Sequence, residues 1–510
     1  MDQAEAQVQP VVGITLVIMT IALSLGTFMQ VLDSSIANVA IPTISGDLGA
    51  SSSQGTWIIT SFGVANAISI PITGWLAKRF GEVRLFIAST ALFTLFSWLC
   101  GISTNLDMLL FFRVMQGAVS GPLIPLSQSL LLNNYPKAKR PMALAFWSMT
   151  VVIAPVIGPI LGGWISDNAH WGWIFFINVP FGLFVVIASW QILKKRESKI
   201  EIKPVDSIGL IFLVFGVGAL QIMLDKGREY DWFNSTEIIV LTVIAVVGII
   251  ALIIWELTDD NPIVDVSLFR NRNFMIGTLT TSLAFLLYMG SIVLIPILLQ
   301  SVYGYTATWA GLATAPIGFL PVIVMPLIGR YSDKFDMRSL ATFSFIVYAF
   351  SFGWRSLVFE PDMSFWDVGF PQLIQGLAVA CFFMPLTDLT LSQISNKDMA
   401  SASSLFNFLR TLAGSIGTSL VMNMWYNHES VHHENLTEAI TPYTENAIQY
   451  YQKMSDFGFS DQQTSLFIAK QITKQGFIIS SNEIFMLSAI SFLVMIVFIW
   501  FAKDTKDTKN

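Results

Sequence analysis

Residues 14–44 read ITLVIMTIALSLGTFMQVLDSSIANVAIPTI, and Asp33 is the only charged side chain among them. At about 1.5 Å of rise per residue, a helix of this run is roughly 45 Å long, more than a hydrocarbon core of about 30 Å requires. Asp33 lies nine residues before Pro42, so roughly 14 Å from that end of the span and near mid-membrane. A carboxylate at that depth costs several kcal/mol unless it is paired, hydrated or protonated. The run starts behind an acidic, lysine-free segment and shows no small-residue cleavage site before Ser45, so it reads as a retained span rather than a signal peptide.

The rest of the chain repeats the pattern. Of 510 residues, 54% are apolar and only 12% charged, about half the charged share of a soluble chain. The expected fold is all-α and polytopic, because unpaired backbone groups are not tolerated in lipid and the ten-residue alternation of a barrel is absent. Fourteen candidate spans begin near Ile14, Gly55, Leu85, Leu106, Pro141, Ile174, Ser207, Glu237, Asn273, Thr308, Leu340, Phe370, Ala400 and Asn482. Of the 28 Lys and Arg residues, twenty then fall in connections or tails on the side of the termini, five on the other side, and Arg113, Arg355 and Arg410 in or at the edge of spans. That asymmetry places both termini in the cytoplasm. The net charge of -6 averages loops on two sides and says little about partners. No basic tract suggests nucleic acid, and Cys100 and Cys381 read as free thiols within apolar runs.

An internal repeat divides the chain. Gly74-Trp-Leu-Ala-Lys-Arg-Phe-Gly-Glu-Val-Arg84 returns as Gly329-Arg-Tyr-Ser-Asp-Lys-Phe-Asp-Met-Arg338. Arg113-Val-Met-Gln116-Gly117 returns as Gln372-Leu-Ile-Gln375-Gly376, and Pro125-Leu126 as Pro385-Leu386. Two six-helix bundles are expected, residues 1–203 and 270–510, with two inserted spans in 204–269. A long outer loop over 426–480 separates the last two spans, and within it residues 444–476 show apolar side chains at helical spacing, read as an amphipathic hairpin, a surface helix or a disordered loop.

Four groups of residues carry the functional reading. Arg113 sits seven residues into its span, roughly 10 Å from the face nearest Asp33, so the two can meet in depth. A carboxylate that gains or loses a guanidinium neighbour changes its proton affinity, which is what a coupling site needs; a permanent packing ion pair is the plainer alternative. Phe28, Met29, Gln30, Asn38, Trp57 and Gln116 are expected to line a midplane cavity, with Asp388 and Arg410 as a second intramembrane pair. In span 5, Pro155 and Pro159 bend the helix while Gly158, Gly162 and Gly163 smooth one face, which suits a kinked interface between bundles or simple close packing. The short turns holding Gly74, Arg79, Gly81, Asp333 and Arg338 are read as a cytoplasmic latch or as ordinary positive-inside loops. His428, His432 and His433 can bind metal, sense acid, or stand as solvated loop residues; no metal or other cofactor is expected. No nucleotide loop or Ser-His-Asp set is present, which disfavours ATP-driven transport and hydrolysis and argues against an enzyme.

With these residues in view, the chain resembles the fourteen-span drug:proton antiporter branch of the major facilitator superfamily over nearly its whole length. The carriers are Leu32-Asp33-Ser-Ser-Ile-Ala-Asn38-Val-Ala-Ile-Pro42, the Gly158-Pro159 segment of span 5, Trp171-Gly-Trp-Ile-Phe-Phe-Ile-Asn178-Val-Pro180, and Arg113, Gln116 and Gly117 in span 4. The resemblance implies an exporter of hydrophobic uncouplers and some antibiotics in a bacterial inner membrane. It also implies a tripartite pump, with an EmrA-like periplasmic adaptor and a TolC-type outer-membrane channel. Two positions depart from the pattern: Lys78 stands where the first loop motif usually has an acid, and Asp388 where a small hydroxyl residue is expected. Uptake by proton symport and a non-transporting membrane sensor or assembly protein are the alternatives; the span 5 motif disfavours the first, and the intramembrane Asp and Arg disfavour the second.

Overall fold

The computed structural model describes residues 11–136, 139–201, 204, 206–259, 262–440 and 444–503, and within these not the side chains of Ser52, Ser53, Ala307, Asp333 and Ala439. Regular structure among the described residues is entirely helical, as hydrocarbon surroundings demand. The first bundle contains α1 (Ile14–Asp47), α2 (Ser52–Phe80), α3 (Glu82–Gly101), α4 (Leu106–Ser120) continued by α5 (Leu123–Asn134), α6 (Arg140–Asn168), and the short α7 (Trp173–Phe176) leading into α8 (Asn178–Leu193). The inserted pair is α9 (Ser207–Lys226) and α10 (Thr236–Thr258). The second bundle contains α11 (Arg272–Ser301), α12 (Ala307–Thr314) and α13 (Phe319–Arg330), α14 (Met337–Val358), α15 (Phe365–Ala380) and α16 (Phe383–Leu391), α17 (Met399–Ala439), α18 (Glu445–Asp456) and α19 (Asp461–Ile499).

Local chemistry sets the ends of these helices. Ser51 and Gln54 form a capping box on α2, as Ser460 and Gln463 do on α19, while Asn105, Asn271 and Thr306 cap α4, α11 and α12. Gly81 takes a positive φ of 92° in the turn between α2 and α3, where Glu197 and Ser198 accept the freed amides of Glu82, Val83 and Arg84. The internal repeat is visible as two interrupted spans: the chain breaks between Ser120 and Leu123, and again between Ala380 and Phe383.

Twelve spans among the described residues, some of them two helices in succession, are long and apolar enough to cross a membrane. The other two expected spans, α14 and α17, are helices of 22 and 41 residues whose composition is more polar, since they hold Arg355, Arg410 and several buried Ser and Asn side chains. The expected loop over 426–480 is largely helix. α17 continues beyond Tyr426 to Ala439 and α19 begins at Asp461, with α18 folded back through a Tyr451–Ser465 hydrogen bond of 2.8 Å. Hydropathy falls there but helix-forming residues continue, so the helices outrun the apolar runs.

The turns rich in Lys and Arg gather at one end, with the start of α1 and the finish of α19; this is the basic end. Two seams join the bundles, α2 against α17 and α6 against α12 and α13. At the basic end Gly74 faces the backbone of Ser401, and Gly329 faces Met142 and Ala145, approaches that a larger side chain would block. Ser404 donates to the Ile70 carbonyl, Asn407 to Gln128 at 2.9 Å, and Arg140 to Asn396 at 2.9 Å. Lys78 reaches Asp398 at 3.8 Å and Lys397 reaches Glu201 at 3.0 Å. The inserted pair leans across the first seam: α9 packs on α2, and Ser419 of α17 donates to the Leu224 carbonyl. α9 and α10 meet where Gly216 faces Gly248.

A partly exposed pair such as Lys78–Asp398 contributes about 0.2–1 kcal/mol. Lys78→Asp should therefore open the basic end modestly, seen as a roughly two- to fivefold faster maleimide reaction of a Ser401→Cys reporter. Adding Asp398→Lys should return the rate to its starting value.

Candidate functional site

Asp33 and Arg113 meet at 2.6 Å, Nη1 to Oδ2, and both side chains are essentially without solvent contact. The pair is the centre of a larger knot. Gln116, one turn beyond Arg113 on α4, donates to Asp33 Oδ1 at 3.1 Å and accepts from Arg113 at 2.8 Å. Asn178, the first residue of α8, donates to Asp33 Oδ1 at 2.8 Å and to Ser97 of α3 at 2.9 Å. Arg113 Nε donates to the Ile58 carbonyl of α2 at 3.0 Å, and its guanidinium lies 4.2 Å from the Phe62 ring centre. Three N–H donors thus converge on one carboxylate from two helices, and the arginine is tied to a third. Arg113 Nη2 and Asn178 Oδ1 make no hydrogen bond.

The placement follows from local sequence. Small residues allow the approach of α4 to α2, where Gly117 faces the Phe62 carbonyl and Ala65. The α7 turn delivers Asn178 to the knot, and Ser97 anchors that turn by donating to the Phe175 carbonyl at 3.0 Å. Spacing in the sequence brought out Asp33, Arg113 and Gln116. It did not bring out Ser97, which is one hydroxyl among many in apolar helices; Asn178 carries a signal only as part of the Trp171–Pro180 stretch.

The span 5 residues lie in α6, with Pro155 and Pro159 inside the helix. Gly158 faces Ser35 and Ile36, and Gly162 faces the Ile36 carbonyl, so α6 rides directly on the part of α1 that holds Asp33. Its other side meets the second bundle, Val156 against Gly318 and Ile160 against Gly311. Gly163 faces open space. One helix therefore touches both the ion-pair helix and the facing bundle.

The expected cavity residues do not form one surface. Phe28, Met29 and Gln30 are consecutive and point about 100° apart on α1. Met29 is fully buried in the core, Trp57 lies beneath the Lys226 ammonium at 4.9 Å, and Gln30 is buried with an unpartnered Oε1. Gln30, Ser34 and Asn38 share a stripe, buried at Gln30, half-buried at Ser34 and exposed at Asn38. Exposure along α1 thus grows away from the closed basic end.

Asp388 and Arg410 are not paired. The Asp388 charge acts on Arg140 at the start of α6, whereas Arg410 lies among the rings of Phe285, Phe406 and Phe383 at 5.2, 5.8 and 5.9 Å. The knot of the second bundle is Arg355, which donates to Gln372 at 2.7 Å and Gln375 at 2.5 Å. Arg338 binds Asp336 at 2.9 Å and the Ala502 carbonyl, contacts within the second bundle, and Arg79 stacks on Trp75 at 5.3 Å. Lys78, the departure from the family pattern, is the residue of that turn that reaches Asp398 of the other bundle. The side chain of Asp333 lies outside the described residues. His428 and His432 share Glu483 of α19, at 2.7 and 3.0 Å, and His433 meets Glu429 at 3.4 Å. They stand on a helix, and among the described residues no three His, Cys, Asp or Glu are arranged to hold a metal ion.

Comparison with known proteins adds the following. The sequence profile described as Major Facilitator Superfamily matches residues 23–418. Multidrug export protein EmrB of Haemophilus influenzae is 67% identical over 510 residues, all of both chains. Fatty acid resistance protein FarB of Neisseria gonorrhoeae is 53% identical over 97% of each chain. Among solved structures, the proton:xylose symporter XylE, bound to 6-bromo-6-deoxy-D-glucose, aligns with a TM-score of 0.63 at 13% identity and covers 96% of each chain.

Removing one member of the knot strands the other. Arg113→Ala should lower unfolding free energy by about 3–5 kcal/mol, because Asp33 is left buried without its counter-charge. The Asp33→Ala, Arg113→Ala double variant should recover part of that loss. Thermal unfolding of purified protein in one detergent measures both.

Proposed function

The chain belongs to the Major Facilitator Superfamily and to its EmrB/EmrY-like multidrug exporters, which are transporters and not enzymes, and on that premise we propose that it expels hydrophobic compounds in exchange for protons. The reading takes the basic end as cytoplasmic, the membrane as the bacterial inner membrane, and the crossings as fourteen. Residues 1–203 and 270–510 form the two moving bundles, and 204–269 the inserted pair. The fatty acid resistance name of FarB supports amphipathic acids among the compounds carried.

The observation that carries the proposal is the desolvated Asp33–Arg113 contact of 2.6 Å. Ionised, the carboxylate accepts from Arg113, Gln116 and Asn178 together. A protonated acid has one oxygen converted to a donor and no charge to oppose the guanidinium, so the same knot is no longer satisfied and its helices favour another arrangement. A proton entering from outside neutralises Asp33 and favours drug release outward. α6, resting on α1 through Gly158 and Gly162 and on α12 and α13 through Val156 and Ile160, passes that change to the facing bundle. The basic-end contacts then part, and Asp33 returns its proton to the cytoplasm. The electrical gradient supplies about 2.3 kcal/mol per charge at 100 mV, worth a roughly fiftyfold concentration ratio.

The reading extends to a tripartite pump with an EmrA-like adaptor and a TolC-type outer-membrane channel. Its support is the likeness to the EmrB exporters, and the hairpin of α17, α18 and α19 is the element that reaches outward to meet such partners.

Asp33→Asn should abolish proton movement coupled to substrate in proteoliposomes while the protein still inserts. Outward substrate flow with inward protons identifies exchange; parallel flow would identify symport. Full drug resistance in cells carrying Asp33→Asn would remove the acid from its assigned role.

A further inference from the structure

Three arginines lie within or at the edge of the apolar spans, and they are held in different ways. Arg113 has a carboxylate, an amide oxygen and a carbonyl. Arg355 has two glutamine oxygens and packs among Phe352 and Phe485 inside the second bundle. Arg410 has neither. It is 2% exposed, its Nε and Nη1 make no hydrogen bond, and no ion pair joins it to a carboxylate among the described residues. It stands eleven residues into α17, about 16 Å from the basic end.

What surrounds Arg410 is aromatic. Phe285, Phe383 and Phe406 attract the charge through their ring faces. Ring faces leave the in-plane N–H fork of a guanidinium unused, and that fork matches the two oxygens of a carboxylate. The position is one turn from Asn407, which reaches across to Gln128 of the first bundle. Arg410 therefore lies close to the seam that must open in alternating access. A buried cation with open donors and apolar walls is the complement of an anionic head on an apolar tail.

We propose that Arg410, with Phe285, Phe383 and Phe406, forms the recognition site for the anionic head of amphipathic acids. This rests on the exporter reading and deepens it by naming the side chains that receive the acidic head. A single negative head, carboxylate or phenolate, supplies the counter-charge that Arg410 lacks among the described residues, and the rings receive the adjoining hydrocarbon.

The test is equilibrium binding to the full-length protein in nanodiscs at pH 8, comparing dodecanoate with dodecan-1-ol. Wild type should prefer the acid, and Arg410→Gln should reduce the ratio of the two affinities by about tenfold or more, the usual effect of losing a charge-assisted pair. If the Gln variant is not monodisperse, Arg410→Lys decides. It retains the charge without the fork and should reduce the ratio by roughly threefold or more. An unchanged ratio in whichever variant is measured, or no preference for the acid in wild type, overturns the proposal. Binding needs no proton gradient, so a failure of proton exchange would leave this measurement standing.

Discussion

A carboxylate and a guanidinium 2.6 Å apart, with no water to share, set the terms for the first bundle. Either charge alone at that depth is expensive, and their mutual attraction compensates only while the geometry holds and the remaining polar atoms find partners. Gln116, Asn178, Ser97 and the Ile58 carbonyl provide those partners from four helices besides α1. Moving any one of the five away from the rest breaks a hydrogen bond in a place where nothing replaces it. The bundle is thereby made to move as a unit or not at all.

The ion pairs between the bundles have the opposite character, although Ser404 and Asn407 also make buried hydrogen bonds across the seam. Lys78–Asp398 and Lys397–Glu201 involve partly exposed side chains near the basic end, where water can replace each partner at little cost. A hydrogen bond from the Lys397 ammonium to Glu201 is the main cause that raises the proton affinity of Lys397. Glycines at 74 and 329 let backbones touch without interlocking side chains. A dry, charge-paired knot within one bundle, against exposed ion pairs and a few neutral hydrogen bonds between bundles, suits rigid-body rocking.

Much of this was legible in the chain itself, and the failures have physical causes. Span positions follow from length and apolarity, and the depth of Asp33 against Arg113 follows from rise per residue. Rotation about a helix axis is harder to read. Asn178 and Ser97 point at Asp33 because of how α3, α7 and α8 pack, and hydropathy carries no record of that angle. The same blindness grouped Phe28, Met29 and Gln30 in the lining of one cavity, although neighbours on a helix face apart. Asp388 and Arg410 share a bundle but not a direction. The extensions of α17 and α19 are obscured because polarity after Tyr426 suggests a loop, whereas the helices run on through polar residues to Ala439 and from Asp461.

The two halves share a repeat and have divided its chemistry. Where the first has Arg113-x-x-Gln116, the second has Gln372-x-x-Gln375, and its arginine has moved to α14 as Arg355. The hydrogen-bonded knot survives that change, but the acid does not: Arg355 is held by amide oxygens, which do not titrate. Among the described residues the second bundle has no carboxylate–guanidinium knot to match that of Asp33 and Arg113. The bundle whose arginine knot has no acid is also the one that keeps an arginine with open donors. On the two proposals above, charge is handled in two separate places, a proton on the first bundle and an anionic head on the second. On that reading neither has to displace the other from a shared residue, and the seam and α6, which touches both α1 and the facing bundle, are the route that would couple them.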